Sequence, residues 1–278
     1  MRADLALVER GLAATRSQAQ RLIADGVRWR WPHAPTQWRT VAKNGDEVPD
    51  LAELEVLNTA QTRFVSRGGL KLEGALAHTG QTVQDMVCLD VGQSTGGFTD
   101  CLLQAGALAV LGVDVGHAQL HPRLAQHPQV LALEKINARD MDAARLQAAV
   151  SQCAAPSLAP VWQQRVQAGF GLVVGDVSFI SLAKVLPALV PLMAPQGVLL
   201  MLVKPQFEVG PAHIGKGGLV KDASVYPEVA QRLQAACTAL GLQVTHWLDS
   251  PIAGGDGNKE FFIRAQLGPV IGKQTSHA

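Results

Sequence analysis

The sequence predicts an α/β protein: a doubly wound, mostly parallel sheet carries most of the chain, behind a small basic α+β module. Three observations point there. From residue 87 onward, short apolar runs of strand length alternate with helical segments. The first run ends in a glycine-rich turn. Charge is uneven, with 11 Lys/Arg against 8 Asp/Glu in residues 1–71 and 13 against 15 in residues 72–278. Alternation of this kind requires crossover connections, which place helices on the sheet faces and ligands at the carboxyl ends of the strands. With 47% hydrophobic and 17% charged residues, the chain has ample core material and is not a disordered polyelectrolyte.

In residues 4–23, Leu5, Val8, Leu12, Ala19, Leu22 and Ile23 recur at helical spacing. Gly11 interrupts them, and Thr15 and Ser17 offer a new N-cap, so two short helices are predicted, the second closed by Gly26. Residues 29–56 read as short strands and turns, with Asn44-Gly45-Asp46 as a hairpin signal. Residues 58–62 are small and polar, like a linker. Strands follow at 87–91, 107–113, 130–133, 172–174 and 197–203. The final pair, 243–247 and 261–266, is joined by a glycine-rich bend with no room for a helix, and is therefore antiparallel. Residues 185–203 carry no charge over 19 positions, close to membrane-spanning length. Pro187, Pro191 and Pro195 would break a helix there, so a helix end, a turn and a buried strand from Gly197 explain it better. Cys88, Cys101, Cys153 and Cys237 are scattered without a CxxC pair, which argues against a zinc site or a disulfide framework. No apolar signal core opens the sequence.

The first strand runs into Asp90-Val91-Gly92-Gln93-Ser94-Thr95-Gly96-Gly97-Phe98, an acidic residue and glycine turn before a helix. Such a turn lets backbone approach a ligand and presents free N–H groups. It is neither GxGxxG nor a P-loop. The second strand ends at Asp114, where a carboxylate can accept bonds from ribose hydroxyls. Asn137 after the third strand suits either an adenine edge or a helix cap. By itself the turn equally describes a tight strand–helix connection with a capping aspartate. His117, His121 and His127 read as surface histidines rather than metal ligands, since Pro122 intervenes and a third ligand is missing.

Longer motifs add a resemblance. Asp90-Val91-Gly92-x-Ser94-Thr95-Gly96-Gly97-Phe98-Thr99-Asp100, Gly112-Val113-Asp114-Val115-Gly116, Asp176-Val177-Ser178-Phe179-Ile180-Ser181-Leu182 and Leu202-Val203-Lys204-Pro205-Gln206-Phe207-Glu208 resemble the TlyA, or hemolysin A-like, rRNA methyltransferases. The likeness runs from Arg2-Ala3-Asp4-Leu5 to Gly257-Asn258-x-Glu260-Phe261. It implies an S4-like RNA-binding domain at 1–58, a linker at 59–66 and an FtsJ-like domain at 67–278. The larger domain would have a Rossmann-like class I methyltransferase sheet, its last strand antiparallel. The implied reaction is 2′-O-methylation of cytidine in 16S and 23S rRNA, or in 23S alone, using S-adenosylmethionine, in a cytoplasmic protein without metal or stable membrane association. The implied catalytic set is Lys71, Asp176, Lys204 and Glu260. Asp90, Gly92, Ser94, Thr95, Gly96, Gly97, Phe98, Asp114, Val115, Asn137 and Asp176 would bind the cofactor. Arg2, Arg16, Arg21 and Arg67, with Lys216 and Lys221 in the glycine-rich loop 207–226, would contact RNA phosphates in ribosomal subunits.

Three positions depart from the pattern. Gln93 is bulkier than the small residue expected and should crowd the methionine end of the cofactor. The segment Trp29–Pro35 is unusually aromatic and proline-rich, and residues 140–169 fit loosely, as an insertion would. Chemically, a ribose hydroxyl is a poor nucleophile, so the enzyme must align it and take its proton. A neutral Lys204 can act as base, with Asp176 steering it and facing the sulfonium, and Glu260 orienting Lys71. Singly, a strand-end Asp or Lys is as often a cap or a solvated tip; together they point to a site. Two other classes compete. One is an RNA-binding assembly protein with an inactive methyltransferase fold. The other is a membrane-active cytolysin, for which a spanning segment or basic amphipathic helix is lacking.

Overall fold

The computed structural model describes every residue except Ala14, Pro35, residues 58–62, Asp256 and residues 269–278; of Arg21, Ala24 and Asp25 it describes the backbone alone. The linker expected at 59–66 therefore falls partly outside the described residues. The chain divides into two compact units, Met1–Arg67 and Gly68–Ala278.

In the first unit, helices α1 (Ala3–Glu9) and α2 (Arg16–Gly26) precede strands β1 (Val27–Arg30), β2 (Arg39–Val41) and β3 (Glu53–Val56). Thr15 caps α2, its hydroxyl accepting from Gln18 N at 3.2 Å. The sheet order is β2-β1-β3, all antiparallel. Along β1, Val27 and Trp29 face the core with Leu7, Leu22 and Val41, while Arg28 and Arg30 reach Glu55 and Glu53 across β3, both at 2.6 Å. The aromatic segment folds onto this sheet: the Arg28 and Arg30 guanidinium carbons lie 4.4 and 4.5 Å from the Trp38 ring. The hairpin expected at Asn44-Gly45-Asp46 is corrected, because β2 and β3 pair with β1 rather than with each other. Those residues form a turn fastened by Asp46, whose carboxylate accepts from Ala42 N and Lys43 N. Side-chain turn chemistry produced the hairpin-like signal.

The second unit begins with α3 (Gly68–Thr79). It continues through β4 (Val87–Val91), α4 (Gly97–Gln104), β5 (Ala109–Asp114), α5 (Pro122–Ala125), β6 (Val130–Glu134), α6 (Ala143–Cys153) and α7 (Ala159–Ala168). After β7 (Phe170–Gly175) come α8 (Leu186–Leu189), β8 (Met193–Val203), α9 (Tyr226–Ala239), β9 (Leu242–Asp249) and β10 (Phe261–Leu267). The sheet order is β6-β5-β4-β7-β8-β10-β9, with β10 antiparallel to both neighbours and the pairs from β6 to β8 parallel. The chain reverses its direction of winding between β4 and β7, so a crevice opens beyond their carboxyl ends. Strands β4, β5, β7 and β8 are buried on both faces, which explains their unbroken apolar runs.

One expectation changes. Strand β8 starts at Met193, four residues before Gly197. Phe170 pairs with Met193, and the ladder resumes at Leu172 with Val198. Gln196, at φ +63, takes up the irregularity inside the strand. The prolines hold α8 to a single turn, and no described helix is long and apolar enough to cross a membrane. Residues 140–169, which fit the family pattern loosely, are ordered here: α6 and α7 bury Leu146, Val150, Trp162 and Val166 in the main core.

Candidate active site

At the end of β4 the chain turns at Gly92, φ +80. A Cβ there would lie 2.8 Å from the Asp176 carbonyl oxygen, so both backbone conformation and space demand glycine. Gly92 N and Gln93 N donate to Val113 O at 2.9 and 3.2 Å, tying the turn to β5. Asp114, at the tip of β5, accepts from Ser94 N at 2.8 Å and from Gly116 N at 2.6 Å. Beside these strand ends lies a cavity of about 500 Å³ lined by Gly92, Ser94, Asp114, Val115, Asn137 and Asp176, among others. Asn137 lines the cavity and also caps the following turn, its side chain accepting from Arg139 N at 3.0 Å. An open groove along α9 and β9, near Gln234 and Trp247, holds no cluster of titratable groups among the described residues.

The remaining predicted cofactor residues lie outside the cavity lining. Phe98 is buried and stacked on Phe262 at 6.2 Å. Gly96 opens α4 against Leu120 and Leu124, and Gly97 is buried in the first turn of α4. Thr95 is exposed, its carbonyl accepting from His121 N. Asp90 is fully buried and accepts from Thr99 Oγ1 at 2.6 Å. Burial, aided by Asp176 and Asp114, pushes its carboxyl up to about 7 against the pull of the Thr99 bond. Asp90 and Thr99 underpin the turn. Gln93 belongs with them: it does not project into the cavity but is buried, donates to Thr99 Oγ1 at 2.8 Å and occupies the space left by Gly112. The expected crowding of the methionine end is therefore corrected.

Two lysine–carboxylate pairs stand together. Lys204, after β8, lies 2.6 Å from Asp176, after β7, and donates to Ser178 Oγ at 2.6 Å. Lys71, on α3, lies 2.5 Å from Glu260, just before β10, with both side chains at least nine-tenths buried. Burial raises the Glu260 carboxyl; Lys71 opposes this by hydrogen bond and charge, and Asp176 and Lys204 also act on it. All four residues thus share one electrostatic site.

Sequence reasoning passed over three features here. Phe179 is 91% exposed at φ +64, and its ring lies 5.1 Å from that of Phe207. With Arg139, Lys184 and Ser181 these rings line a second cavity of about 380 Å³. Glu208 is buried beneath that turn, accepting from Ser181 Oγ and Leu182 N. Asn258 clasps the glycine-rich loop, accepting from Val220 N and donating to Gly218 O, both at 3.0 Å. In the sequence, Phe179, Glu208 and Asn258 stood only as members of the longer motifs, with nothing to mark their separate roles.

The predicted RNA contacts fare differently. Arg2 and Arg16 are bound to the buried Asp4, Arg2 through Nε and Nη2 at 3.1 Å and Arg16 through Nε at 2.8 Å. Their side chains remain about half exposed. Those bonds, Arg2's foremost, hold the Asp4 carboxyl well below the usual carboxylate range. The Arg21 side chain lies outside the described residues, and Arg67 is half-buried. Lys216 is exposed, and Lys221 donates to Ala212 O at 3.0 Å. His117 pairs with Glu134, His121 caps α5, and His127 accepts from Gln129 N. Among the described residues no group of three could hold a metal ion.

Over 262 residues the chain is 38% identical to the 16S/23S rRNA (cytidine-2′-O)-methyltransferase TlyA of Mycobacterium tuberculosis (strain ATCC 25618 / H37Rv), covering 94% of this chain and 88% of that one. Hemolysin A of Brachyspira hyodysenteriae is 31% identical over 261 residues, with 94% and 98% covered. A solved hemolysin-like protein from Streptococcus thermophilus superposes with a TM-score of 0.69 at 36% identity, covering 96% of this chain and 88% of that one. Residues 64–267 match the FtsJ-like methyltransferase family, and by the extent of that match the chain belongs to it.

Proposed function

We propose that this protein methylates the 2′-hydroxyl of a cytidine ribose in 16S rRNA, 23S rRNA or both, using S-adenosylmethionine. The observation that carries the reading is the meeting of Lys204–Asp176 and Lys71–Glu260 beside the cavity of β4, β5 and β7. The cavity suits the cofactor: a bare glycine backbone at Gly92, a carboxylate at Asp114 for ribose hydroxyls, and Asn137 for an adenine edge. When bound, S-adenosylmethionine supplies a methyl group on a sulfonium, already activated for attack. The chain's own residues do the rest. Asp176 presents negative charge toward the cofactor and fixes Lys204. In its neutral form Lys204 Nζ accepts the proton of the 2′-hydroxyl, and Lys71, held by Glu260, adds a second cation beside the reacting oxygen. The exposed Phe179 ring offers a stacking surface for a splayed base. Residues 1–58 serve as an S4-like RNA-binding module, joined by 59–66 to the catalytic domain 67–278, in a cytoplasmic protein acting on ribosomal subunits.

Two measurements test this. Mapping 2′-O-methylation in rRNA from cells with and without the protein should show loss of a defined cytidine mark; an unchanged map refutes the reading. Lys204→Ala should lower methyl transfer at least 100-fold while cofactor affinity stays within about threefold, and normal turnover would remove Lys204 from its role.

A further inference from the structure

Glu208 is a buried carboxylate, its side chain 2% exposed, and it does not line the cofactor cavity. Burying a charge is costly unless it is bonded. Its Oε2 accepts from Ser181 Oγ at 2.8 Å and its Oε1 from Leu182 N at 2.6 Å. Arg232 on α9 braces it from behind, Nη2 reaching Oε2 at 3.3 Å and the Glu208 carbonyl at 2.5 Å.

These bonds close a ring through the active site. Asp176 lies five residues before Ser181, and Lys204 lies four residues before Glu208. The ring is completed by the 2.6 Å contact between Asp176 and Lys204. Within it sits Phe179 at φ +64, a conformation that non-glycine residues keep only where their surroundings impose it. The imposed contacts fall on Ser181 and Leu182, two and three residues after it.

We propose that Glu208 is a positioning residue whose carboxylate sets the spacing of the two strand-end loops and thereby holds Lys204 and Asp176 in the arrangement that methyl transfer needs. This rests on the reading of Lys204 as proton acceptor. The carboxylate has a chemical reason to be there. Carried on the loop after β8, it accepts from Ser181 and Leu182 on the loop after β7 and from the Arg232 guanidinium at once, whereas an apolar residue would fill the space without tying the two loops together.

The test uses the full chain carrying Glu208→Ala, Glu208→Gln or Ser181→Ala. Cofactor affinity, RNA KM and the single-turnover rate of methyl transfer to ribosomal subunits are measured. Glu208→Ala should lower the rate about 100-fold, the loss expected of an ångström-scale misplacement. Cofactor affinity and RNA KM should stay within about threefold. Glu208→Gln, which keeps the acceptor for Leu182 but faces Arg232 with an amide, should recover part of the rate, and Ser181→Ala should lose roughly fivefold. Wild-type rates in the variants overturn the inference. So does a rate loss that only mirrors a smaller fraction of cofactor-binding protein, which would mark a purely structural role. If Glu208→Ala fails to fold, the other two variants decide by the same criteria. A readout independent of substrate separates this inference from the proposed function. Acetic anhydride labelling of Lys204 should rise severalfold in Glu208→Gln while labelling of Lys71 stays constant. Wild-type protein inactive on ribosomal subunits refutes the proposed function, whereas unchanged Lys204 labelling refutes the positioning role.

Discussion

Gln93 and Gly112 make a pair whose energetics can be worked from contacts. An alanine Cβ at Gly112 would lie 2.0 Å from Gln93 Cδ and Nε2 and 2.2 Å from Oε1. Gln93 would have to vacate its buried place and give up the 2.8 Å bond to Thr99. Overpacking of this kind costs about 1–3 kcal/mol and the lost hydrogen bond about 1 kcal/mol. Gly112→Ala should therefore destabilise the second unit by about 3 kcal/mol, a fall in Tm of roughly 6–12 °C. Gln93→Ala alone should cost about 1–2 kcal/mol through the cavity and the lost donor. In the double variant the new methyl group occupies space the glutamine has left, so the total should match Gln93→Ala alone. A coupling of about 3 kcal/mol results, equal to the cost of Gly112→Ala alone. Differential scanning calorimetry of the four proteins measures it. Simple additivity would refute the assigned position of Gln93. Cofactor affinity gives a second check. A side chain lying beneath the turn predicts a change within threefold on Gln93→Ala, whereas one crowding the methionine end predicts tighter binding.

Gly92→Ala should abolish cofactor binding and cost about 2–4 kcal/mol, from the left-handed backbone and the collision with the Asp176 carbonyl; isothermal titration checks the first and calorimetry the second. Asp90 carries a pH signature. Its folded carboxyl titrates near 7 against about 3.9 unfolded, so the folded state binds more protons between those values. Its contribution to stability is full below about pH 4 and declines as pH rises to 7, by at most about 1.4 kcal/mol per unit. Asp90→Asn should flatten that slope in urea titrations, and an unchanged slope would show that another group is responsible. Phe179→Ala should leave Tm within about 1 °C, since so little of the ring is buried. It should raise RNA KM about 5- to 50-fold through lost stacking; an unaltered KM removes the ring from substrate binding.

Strands β4, β5 and β7 were legible because burial on both faces leaves an uninterrupted apolar run, and the antiparallel last pair because residues 250–260 leave no room for a crossover helix. The start of β8 was hidden: Pro195 and Gln196-Gly197 have turn composition, yet they form an irregularity within a strand. Residues 96–98 adjoin Gly92 in the chain, yet the start of α4 buries all three, while Thr95 stays exposed, a difference that sequence adjacency does not show. The direction of Gln93 could not be read because it depends on the missing side chain at Gly112, which lies on another strand. Asp176 and Lys204 could be read from strand ends. Glu208, Arg232 and Asn258 could not, since each acts on a segment 24 or more residues away.

The arginines of the first unit bear on how it would meet a polyanion. Arg2 and Arg16 share the Asp4 carboxylate, Arg28 and Arg30 each face a glutamate, and Arg10 is turned onto the carbonyls of Pro49, Asp50 and Ala52. Four of these five arginines thus lie against carboxylates, so the far-reaching potential of the unit is set by its small net excess, 10 Lys/Arg against 8 Asp/Glu over residues 1–67, rather than by its arginine count. Encounter with nucleic acid would gain little from long-range attraction and would displace fewer counterions than an arginine count suggests, giving a shallow salt dependence. Such a surface is slow to capture and poor at holding arbitrary duplex. If residues 1–58 bind RNA as proposed, phosphates meeting the outward N–H groups of Arg2 and Arg16 would hold it, and discrimination among RNAs would come from dissociation rather than from capture.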